Sequence, residues 1–244
     1  MEAVYKKSDL ILAPYGYCPG CLHGVIAKTL TEVIDEMGIR DKCVAVCGVG
    51  CTAMGITVAN FDSISSLHGR AAAVATGISR VNKDLCVFTF QGDGDCASIG
   101  TNETLHAANR GENFTAIMCC NTVYGMTGAQ MAPTTLVGQK TVTCLEGRDP
   151  AVTGYPIHMA ELIADLKAPR FVARAAAHRP KYIIQMKKIL KKALEVNLDG
   201  GYSFVEIVSG CPTGIKVTSD KMPDYIDEHV LAEYPLGVFK DTTV

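Results

Sequence analysis

The stretch Leu85-Cys86-Val87-Phe88-Thr89-Phe90-Gln91-Gly92-Asp93-Gly94-Asp95 decides the architecture. Residues 85–90 form a continuous apolar run, closed by two glycine–aspartate pairs. A short apolar run bounded by turn residues reads as a strand buried on both faces, which belongs in a parallel sheet. In open parallel sheets ligands bind beyond the carboxyl ends of the strands. The turn at Gly92-Asp93-Gly94-Asp95 is therefore the first place to look for chemistry.

The flanks repeat the pattern. Upstream, residues 43–47 read as an apolar strand, and an alanine-rich helix follows His68-Gly69-Arg70 and runs to Val81. Downstream come a helix over 98–109 and an apolar strand over 114–120. Three successive βα units imply a parallel sheet with helices on both faces, an α/β fold. Before them, Leu22, Val25, Ile26, Leu30, Val33, Ile34 and Met37 recur at helical spacing, with Gly38 as the stop. After them, a Thr/Gly/Pro-rich loop spans 122–155, a length that is usually functional. A short helix over 159–166, a strand over 171–177, a helix opening at Pro180 and a strand over 202–208 complete the series. The expected organisation is one domain over 1–244, with an extended C-terminal tail over 210–244 that shows no strong period.

Composition narrows the classes. The chain has 244 residues, 48% hydrophobic and 20% charged, which excludes disorder. Its formal net charge of −2 argues against nucleic acid as the main partner, and the run Lys187-Lys188, Lys191-Lys192 reads as a solvated helix face. Residues 43–61 carry no charge but are too rich in Gly and Thr for a membrane span, and the N-terminus lacks a signal-peptide core. A cytoplasmic, membrane-free protein is expected. The 11 cysteines are an odd number, so a fully paired secreted scaffold is excluded, and metal, cluster or redox chemistry is favoured.

At the Gly92-Asp93-Gly94-Asp95 turn, glycines let backbone N–H groups approach a phosphate, and Asp93 offers an oxygen to Mg²⁺. An acidic turn with no ligand would look similar. The next strand ends at Asn121-Thr122-Val123-Tyr124-Gly125, so Asp93 and Asn121 emerge side by side. Carboxylate, amide oxygen and the Val123 carbonyl make a hard-oxygen set suited to Mg²⁺. This spacing of Gly-Asp-Gly and Asn resembles the thiamine-diphosphate motif, and with it the diphosphate-binding domain of a thiamine-dependent enzyme.

The cysteines add a second constellation. Cys18-Pro19-Gly20-Cys21 precedes a helix, while Cys51 and Cys211 stand in glycine turns after predicted strands. A CxxC pair with two distant single cysteines can hold Zn²⁺ or a 4Fe–4S cluster, and spacing does not choose between them. Cys43, Cys47, Cys86, Cys96, Cys119, Cys120 and Cys144 read as small buried residues.

In order, Cys18-Pro19-Gly20-Cys21, Gly48-Val49-Gly50-Cys51, Leu67-His68-Gly69-Arg70, Gly92-Asp93-Gly94-Asp95, residues 121–128 with Ala132-Pro133-Thr134-Thr135, and residues 209–213 resemble the β-subunit of the 2-oxoacid:ferredoxin oxidoreductases. The resemblance runs from Tyr17 to the C-terminus. It implies a thiamine-diphosphate-binding fold, with a cluster site over 17–51 plus 211. It implies Cys18, Cys21, Cys51 and Cys211 as 4Fe–4S ligands, and Asp93, Asn121 and the Val123 carbonyl as Mg²⁺ ligands. It further implies cofactor contacts from Cys51, His68, Gly92, Gly94, Asp95, Tyr124 and Gly125, with His68 as the catalytic candidate. The implied reaction is oxidative decarboxylation of a 2-oxoacid to acyl-CoA and CO₂, with electrons passed through the cluster to ferredoxin. The activating glutamate of thiamine enzymes belongs, in that family, to a pyrimidine domain. This chain has room only for the diphosphate domain, so α- or γ-type subunits carrying the pyrimidine domain, and a ferredoxin-like subunit or ferredoxin, are the implied partners. The isolated chain is expected to be inactive.

After Cys51 the sequence reads Thr52-Ala53-Met54-Gly55, with no cation for a distal carboxylate. That favours a branched-chain substrate such as 2-oxoisovalerate. Two alternatives stay open: a non-oxidative thiamine decarboxylase or carboligase with structural Zn²⁺, and an electron-transfer scaffold without the cofactor. Iron–sulfur absorbance separates the first, and thiamine diphosphate binding the second.

Overall fold

Alternation of side chains across each strand builds the two-sided core. Cys43, Ala45 and Cys47, Phe88 and Phe90, Ile117 and Cys119, and Val205 and Ile207 face one layer. Val46, Val87, Ala116, Met118, Cys120, Phe204 and Val208 face the other. Both faces are apolar, so both must be covered by helices. The structure, a computed structural model, describes residues 7–56 and 58–243.

Along the chain the elements are α1 (His23–Glu36), β1 (Cys43–Cys47), α2 (Ala53–Ile56), β2 (Asp62–Ser65), α3 (Ala71–Val81), β3 (Cys86–Gly92), α4 (Thr101–Arg110) and β4 (Thr115–Cys120). There follow a small ribbon of β5 (Val123–Tyr124) and β6 (Gln130–Met131), then α5 (Pro150–Thr153), α6 (Met159–Ala164), β7 (Phe171–Ala176), α7 (Pro180–Leu198) and β8 (Ser203–Val208). The short helices α8 (Pro212–Ile215), α9 (Met222–Tyr225) and α10 (Leu231–Glu233) lead to β9 (Gly237–Asp241). Helices α1 and α7 share one core with the sheet, while α3, α4 and α6 share the other.

The main sheet has the order β2-β1-β3-β4-β8-β7-β9. Every neighbouring pair is parallel except β7 with β9. One consequence sets up the function. Strands β1, β3, β4 and β8 lie side by side and point the same way, so the turns carrying Cys51, Asp93, Asn121 and Cys211 leave the same edge of the sheet.

Four local features differ from the sequence reading. Strand β2 is an exposed edge strand that the polar Asp62-Ser63 start conceals. The helix after Asp93 opens with a wide π-type turn, Asp95–Ile99, before α4. The loop over 122–155 contains the β5–β6 ribbon and α5.

The C-terminal segment is also not extended. Met222, Ile226, Val230 and Tyr234, each four residues apart, are buried against the sheet. That spacing is helical, but a second π-type turn at Ile226–Val230 breaks it into short pieces. The segment then adds β9 antiparallel to β7. Its anchor is Arg174, fully buried on β7. The guanidinium donates to Glu161 Oε1 at 2.8 Å, Glu206 Oε2 at 3.0 Å and the Pro235 carbonyl at 3.1 Å. It also lies over the rings of Tyr234 and Phe239, at 5.2 and 5.0 Å.

Among the described residues no helix is long and apolar enough to cross a membrane. The uncharged 43–61 segment folds as β1 followed by turns and α2, apart from Thr57, which lies outside the described residues.

Candidate functional site

Asp93 sits at the end of β3, 2% exposed, with both oxygens engaged. Oδ1 accepts from Gly94 N at 2.9 Å. Oδ2 accepts from Asn121 N at 3.1 Å, Thr122 N at 2.8 Å and Thr134 Oγ1 at 2.5 Å. These donors favour the charged form, but burial outweighs them and pushes the carboxyl up to about 6. A carboxylate buried with donors and no cation fits a site that takes a cation. Asn121 Oδ1, which accepts from Val123 N at 3.2 Å, stands on the neighbouring strand end.

Gly94 is required by close packing: a Cβ there would fall 2.1 Å from the Tyr124 ring, whose hydroxyl donates to the Gly94 carbonyl at 3.2 Å. At Gly92, by contrast, a Cβ would meet nothing within 4 Å. The space beside this turn is open, as a phosphate cradle needs.

Asp95, expected as a cofactor contact, lines the site cavity. Its carboxylate is spent on protein groups: Oδ1 accepts from Val49 N at 3.1 Å and Gly69 N at 2.9 Å, and Oδ2 from Gln91 Nε2 at 2.6 Å. His68 Nδ1 also bonds to Oδ1. Asp95 thus ties the Cys51 turn, the His68 turn and the β3 turn together and orients His68. The His68 ring is partly exposed and meets Tyr124 edge-on at 6.4 Å. Arg70 turns outward to Glu103 at 2.8 Å.

The loop after Asn121 is held in a strained form. Thr122 has φ +63°, a region that β-branched residues avoid and that costs roughly 1–3 kcal/mol. It is fixed there by its bond to Asp93, by Thr135 Oγ1 donating to its carbonyl at 2.6 Å, and by Gln139 Nε2 donating to its hydroxyl at 2.9 Å.

Arg148, 5% exposed, organises the rest of the loop. It donates to the carbonyls of Gly154 at 2.8 Å, Pro133 at 2.9 Å, Thr135 at 2.7 Å, Thr153 at 3.3 Å and Tyr155 at 2.7 Å. Pro133 and Thr135 flank Thr134, so Arg148 presents the Thr134 hydroxyl to Asp93. Arg148→Lys keeps the charge but loses the planar fork. We expect it to cost about 2–3 kcal/mol, since buried carbonyls lose their donors. The midpoint of urea unfolding reads this out, and an unchanged midpoint would contradict it.

All eleven cysteines are free thiols. Cys43, Cys47, Cys86, Cys96, Cys119 and Cys120 are buried core residues, as read from sequence. Cys144 is only half-buried, because it sits in a turn that bridges back to Thr141. The four candidate ligands stand apart: Cys18 is exposed, and Cys21, Cys51 and Cys211 are half-buried.

Gly125 lies between two of the candidates. A Cβ there would be 3.5 Å from Cys211 Sγ and 3.6 Å from Cys51 Sγ. Burial, reinforced by repulsion from Cys211, Cys51 and Cys18, pushes the Cys21 thiol up to about 12. Such thiols ionise readily only beside positive charge, which suits ligation. Among the described residues no three His, Cys, Asp or Glu side chains are close enough to hold one metal ion. The four sulfurs face one region without closing on it.

His23 opens α1, two residues after Cys21. It is 1% exposed, and its Nδ1 bonds Ser209 Oγ at 3.0 Å. Burial lowers its ring to about 4, so the imidazole is neutral. The pair braces the turns carrying Cys21 and Cys211. Sequence reasoning gave no role to Gln91, Thr134, Arg148 or Ser209. Thr134 and Ser209 fall within the motifs at 132–135 and 209–213, whereas Gln91 and Arg148 carried no signal. His158 and His178 pair with Glu233 at 2.8 Å and Asp227 at 2.9 Å, in keeping with structural roles.

The strand-end residues share a cavity of about 100 Å³. Its lining includes Gly92, Asp93, Asn121 and Val123 together with His23, Gly50, Cys51, Thr52 and His68. Val49, Gly94, Asp95 and residues 124–127 also line it. A larger cavity of about 610 Å³, between residues 136–140 and the C-terminal helices, shares no lining residue with it.

Comparison with known proteins shows the family. The family described as "Thiamine pyrophosphate enzyme, C-terminal TPP binding domain" matches residues 48–207. The chain is 47% identical over 226 residues to the ketoisovalerate oxidoreductase subunit VorA of Methanothermobacter thermautotrophicus, covering 92% of this chain and 47% of that one. It is 34% identical to the 2-oxoglutarate synthase subunit KorB of Archaeoglobus fulgidus, covering 93% of this chain and 80% of that one. The chain spans about half the length of the ketoisovalerate oxidoreductase subunits it matches. A solved 2-oxoglutarate:ferredoxin oxidoreductase from Magnetococcus marinus, with 2-oxoglutarate, coenzyme A and succinyl-CoA bound, superposes with a TM-score of 0.82 at 30% identity. That match covers 98% of this chain and 84% of the other.

Proposed function

Since the chain belongs to the thiamine pyrophosphate enzymes, as a TPP-binding domain of the 2-oxoacid oxidoreductase subunits, we propose that it is the diphosphate-binding part of a 2-oxoacid:ferredoxin oxidoreductase. The reaction is oxidative decarboxylation of a 2-oxoacid to acyl-CoA and CO₂, with ferredoxin as electron acceptor. The observation that carries this is the convergence of Cys51, Asp93, Asn121 and Cys211 on adjacent parallel strand ends. It supports a reading in which Cys51 and Cys211, joined by Cys18 and Cys21, hold a group beside the carboxylate–amide pair. An oxidative thiamine enzyme needs both, and a non-oxidative one needs only the second.

When bound, thiamine diphosphate supplies the carbon nucleophile and electron sink, Mg²⁺ clamps its diphosphate, and a 4Fe–4S cluster relays single electrons. This chain's residues hold them. Asp93, Asn121 and the Val123 carbonyl offer hard oxygens to Mg²⁺, and the open face at Gly92 admits the diphosphate. Cys18, Cys21, Cys51 and Cys211 offer thiolates to the cluster. The buried position of Cys47 in the core supports Cys51 as the ligand after β1. His68, held by Asp95, faces the cofactor as a polar partner. Asp95 itself acts by orienting His68 and the surrounding turns.

The substrate is a branched-chain 2-oxoacid such as 2-oxoisovalerate. Two observations support this: the higher identity to ketoisovalerate relatives, and a cavity lining with no Lys or Arg to neutralise a distal carboxylate. The cavity is smaller than the ~300–1,000 Å³ of whole ligand pockets, so a partner completes it. Val49 and Met126, exposed apolar residues of the lining, offer such a partner a surface to cover. Subunits carrying the pyrimidine domain and a ferredoxin-like subunit fit that role, with coenzyme A as co-substrate. A cytoplasmic setting suits these thiols and the cluster.

Anaerobic purification with the partner subunits tests the reading. Four iron and four sulfide per chain, and bound thiamine diphosphate, are expected. Cys51→Ala should lose the iron and Cys47→Ala should keep it. A complex that retains iron in Cys51→Ala, or prefers 2-oxoglutarate over 2-oxoisovalerate in kcat/KM, would refute the corresponding part.

A further inference from the structure

Thr122 links Asn121 to Val123, both proposed Mg²⁺ ligands, and stands at φ +63°. Asn121 Oδ1 reaches across it to accept from Val123 N at 3.2 Å. A β-branched residue leaves this backbone region unless its neighbours hold it there. Two holds act on its peptide groups. Thr122 N donates to Asp93 Oδ2 at 2.8 Å, and Thr135 Oγ1 donates to the Thr122 carbonyl at 2.6 Å. A third acts on its side chain. Gln139 Nε2 donates to Thr122 Oγ1 at 2.9 Å, which ties the side chain against the backbone rotation that relieves the strain.

Gln139 is itself fixed at every polar group. Its Oε1 accepts from Leu136 N at 3.0 Å, so both ends of the amide are engaged. Its backbone N donates to the Leu136 carbonyl at 3.0 Å, and its carbonyl accepts from Arg148 N at 3.1 Å. It is half-buried and lines the cavity of about 610 Å³, not the strand-end cavity. Its contact with the site therefore runs through Thr122.

We propose that Gln139 is a positioning residue for cofactor binding, acting by holding Thr122 left-handed so that Asn121 and Val123 stay together at the strand end. This rests on the functional reading above. Without that hold, Thr122 spends part of its time at negative φ, and the two ligands separate. The cofactor then binds only the fraction of molecules that stays competent, which lowers its apparent affinity by that fraction. Excess cofactor reverses such a loss, because it draws the population back to the competent form.

The test uses the complex assembled with its partner subunits and stripped of cofactor, titrated by calorimetry with thiamine diphosphate at fixed Mg²⁺. Gln139→Ala should weaken binding roughly threefold to tenfold, the worth of one neutral hydrogen bond. Its kcat should be restored by excess thiamine diphosphate. Thr122→Ala loses the hydroxyl and keeps the strained backbone, so it should weaken binding by a similar factor. Gln139→Ala combined with Thr122→Ala should be no weaker than Thr122→Ala, because both changes remove the same bond. Thr122→Gly also loses the hydroxyl, but glycine adopts φ +63° freely, so it should bind more tightly than Thr122→Ala. Wild-type affinity in Gln139→Ala overturns the proposal. So do additive losses in the double variant, and Thr122→Gly binding no better than Thr122→Ala. A wild-type complex that binds no thiamine diphosphate would instead refute the functional reading itself.

Discussion

Asp93→Ala should leave the assembled complex unable to retain thiamine diphosphate, with a dissociation constant raised about 100-fold or more. Two losses combine. The carboxylate is the only negatively charged member of the proposed Mg²⁺ ligands, and hard cations depend on such oxygens. It is also the acceptor that gathers Gly94 N, Asn121 N, Thr122 N and Thr134 Oγ1 around one point. Removing it leaves buried donors unpaired, at roughly 1–3 kcal/mol each where water does not reach them. It also frees Thr122 from its left-handed backbone, and with it the position of Asn121. Asp93→Asn keeps the shape but turns an NH₂ toward groups that themselves donate, so it should rescue little. Calorimetric titration with thiamine diphosphate and Mg²⁺ measures the effect. Wild-type affinity in Asp93→Ala would mean that the diphosphate is held elsewhere.

The largest expected loss of stability comes from Arg174→Met. Glu206 is fully buried, its Oε1 has no partner, and its carboxyl lies above the usual range because burial opposes ionisation. Arg174 is the cation that compensates it. Breaking a buried pair on one side costs about 3–5 kcal/mol, because the remaining charge stays uncompensated. The C-terminal segment also loses its contacts, since Tyr234, Pro235 and Phe239 all meet the guanidinium.

The variant has a pH signature. With its folded pKa raised above the unfolded value, Glu206 favours the folded state when protonated and opposes it when charged. Arg174→Met should therefore regain stability as pH falls from neutrality toward the carboxylate range, and lose it as pH rises. Arg174→Met combined with Glu206→Gln should be more stable at pH 7 than Arg174→Met alone. Urea unfolding at several pH values reads both effects, and a pH-independent loss would show that Glu206 is not the uncompensated charge.

Much of the fold was legible because its strands are buried on both faces. Such strands have to be short apolar runs, and residues 43–47, 85–90, 114–120 and 202–208 announce themselves. The exceptions share one cause. Strand β2 and strand β9 lie at the sheet edges, are exposed, and carry no apolar pattern to read. The C-terminal helices do carry a four-residue spacing, in Met222, Ile226, Val230 and Tyr234, but wide turns divide it. In the site, residues within motifs could be picked out by type and spacing. The bonds made by Gln91, Thr134, Arg148 and Ser209 could not be read, even where Thr134 and Ser209 fall within motifs, because a polar residue has no one-dimensional mark for the partner it meets across the fold.

The sequence by itself determined the βα succession, the parallel sheet and the pairing of Asp93 with Asn121, since these follow from local periodicity and from one helix and strand of separation. Only the tertiary structure decided what each carboxylate of the turn is bonded to, since both line the cavity. Asp93 and Asp95 are equivalent as letters in a Gly-Asp-Gly-Asp turn. Asp95 is instead consumed by N–H groups from the 48–50 and 68–69 turns, which reach it only because β1 lies beside β3. Likewise the sheet order alone brings Cys211, at the end of β8, to the same edge as Cys51. Neighbouring strands in space, not neighbouring residues in the chain, set which groups share a site.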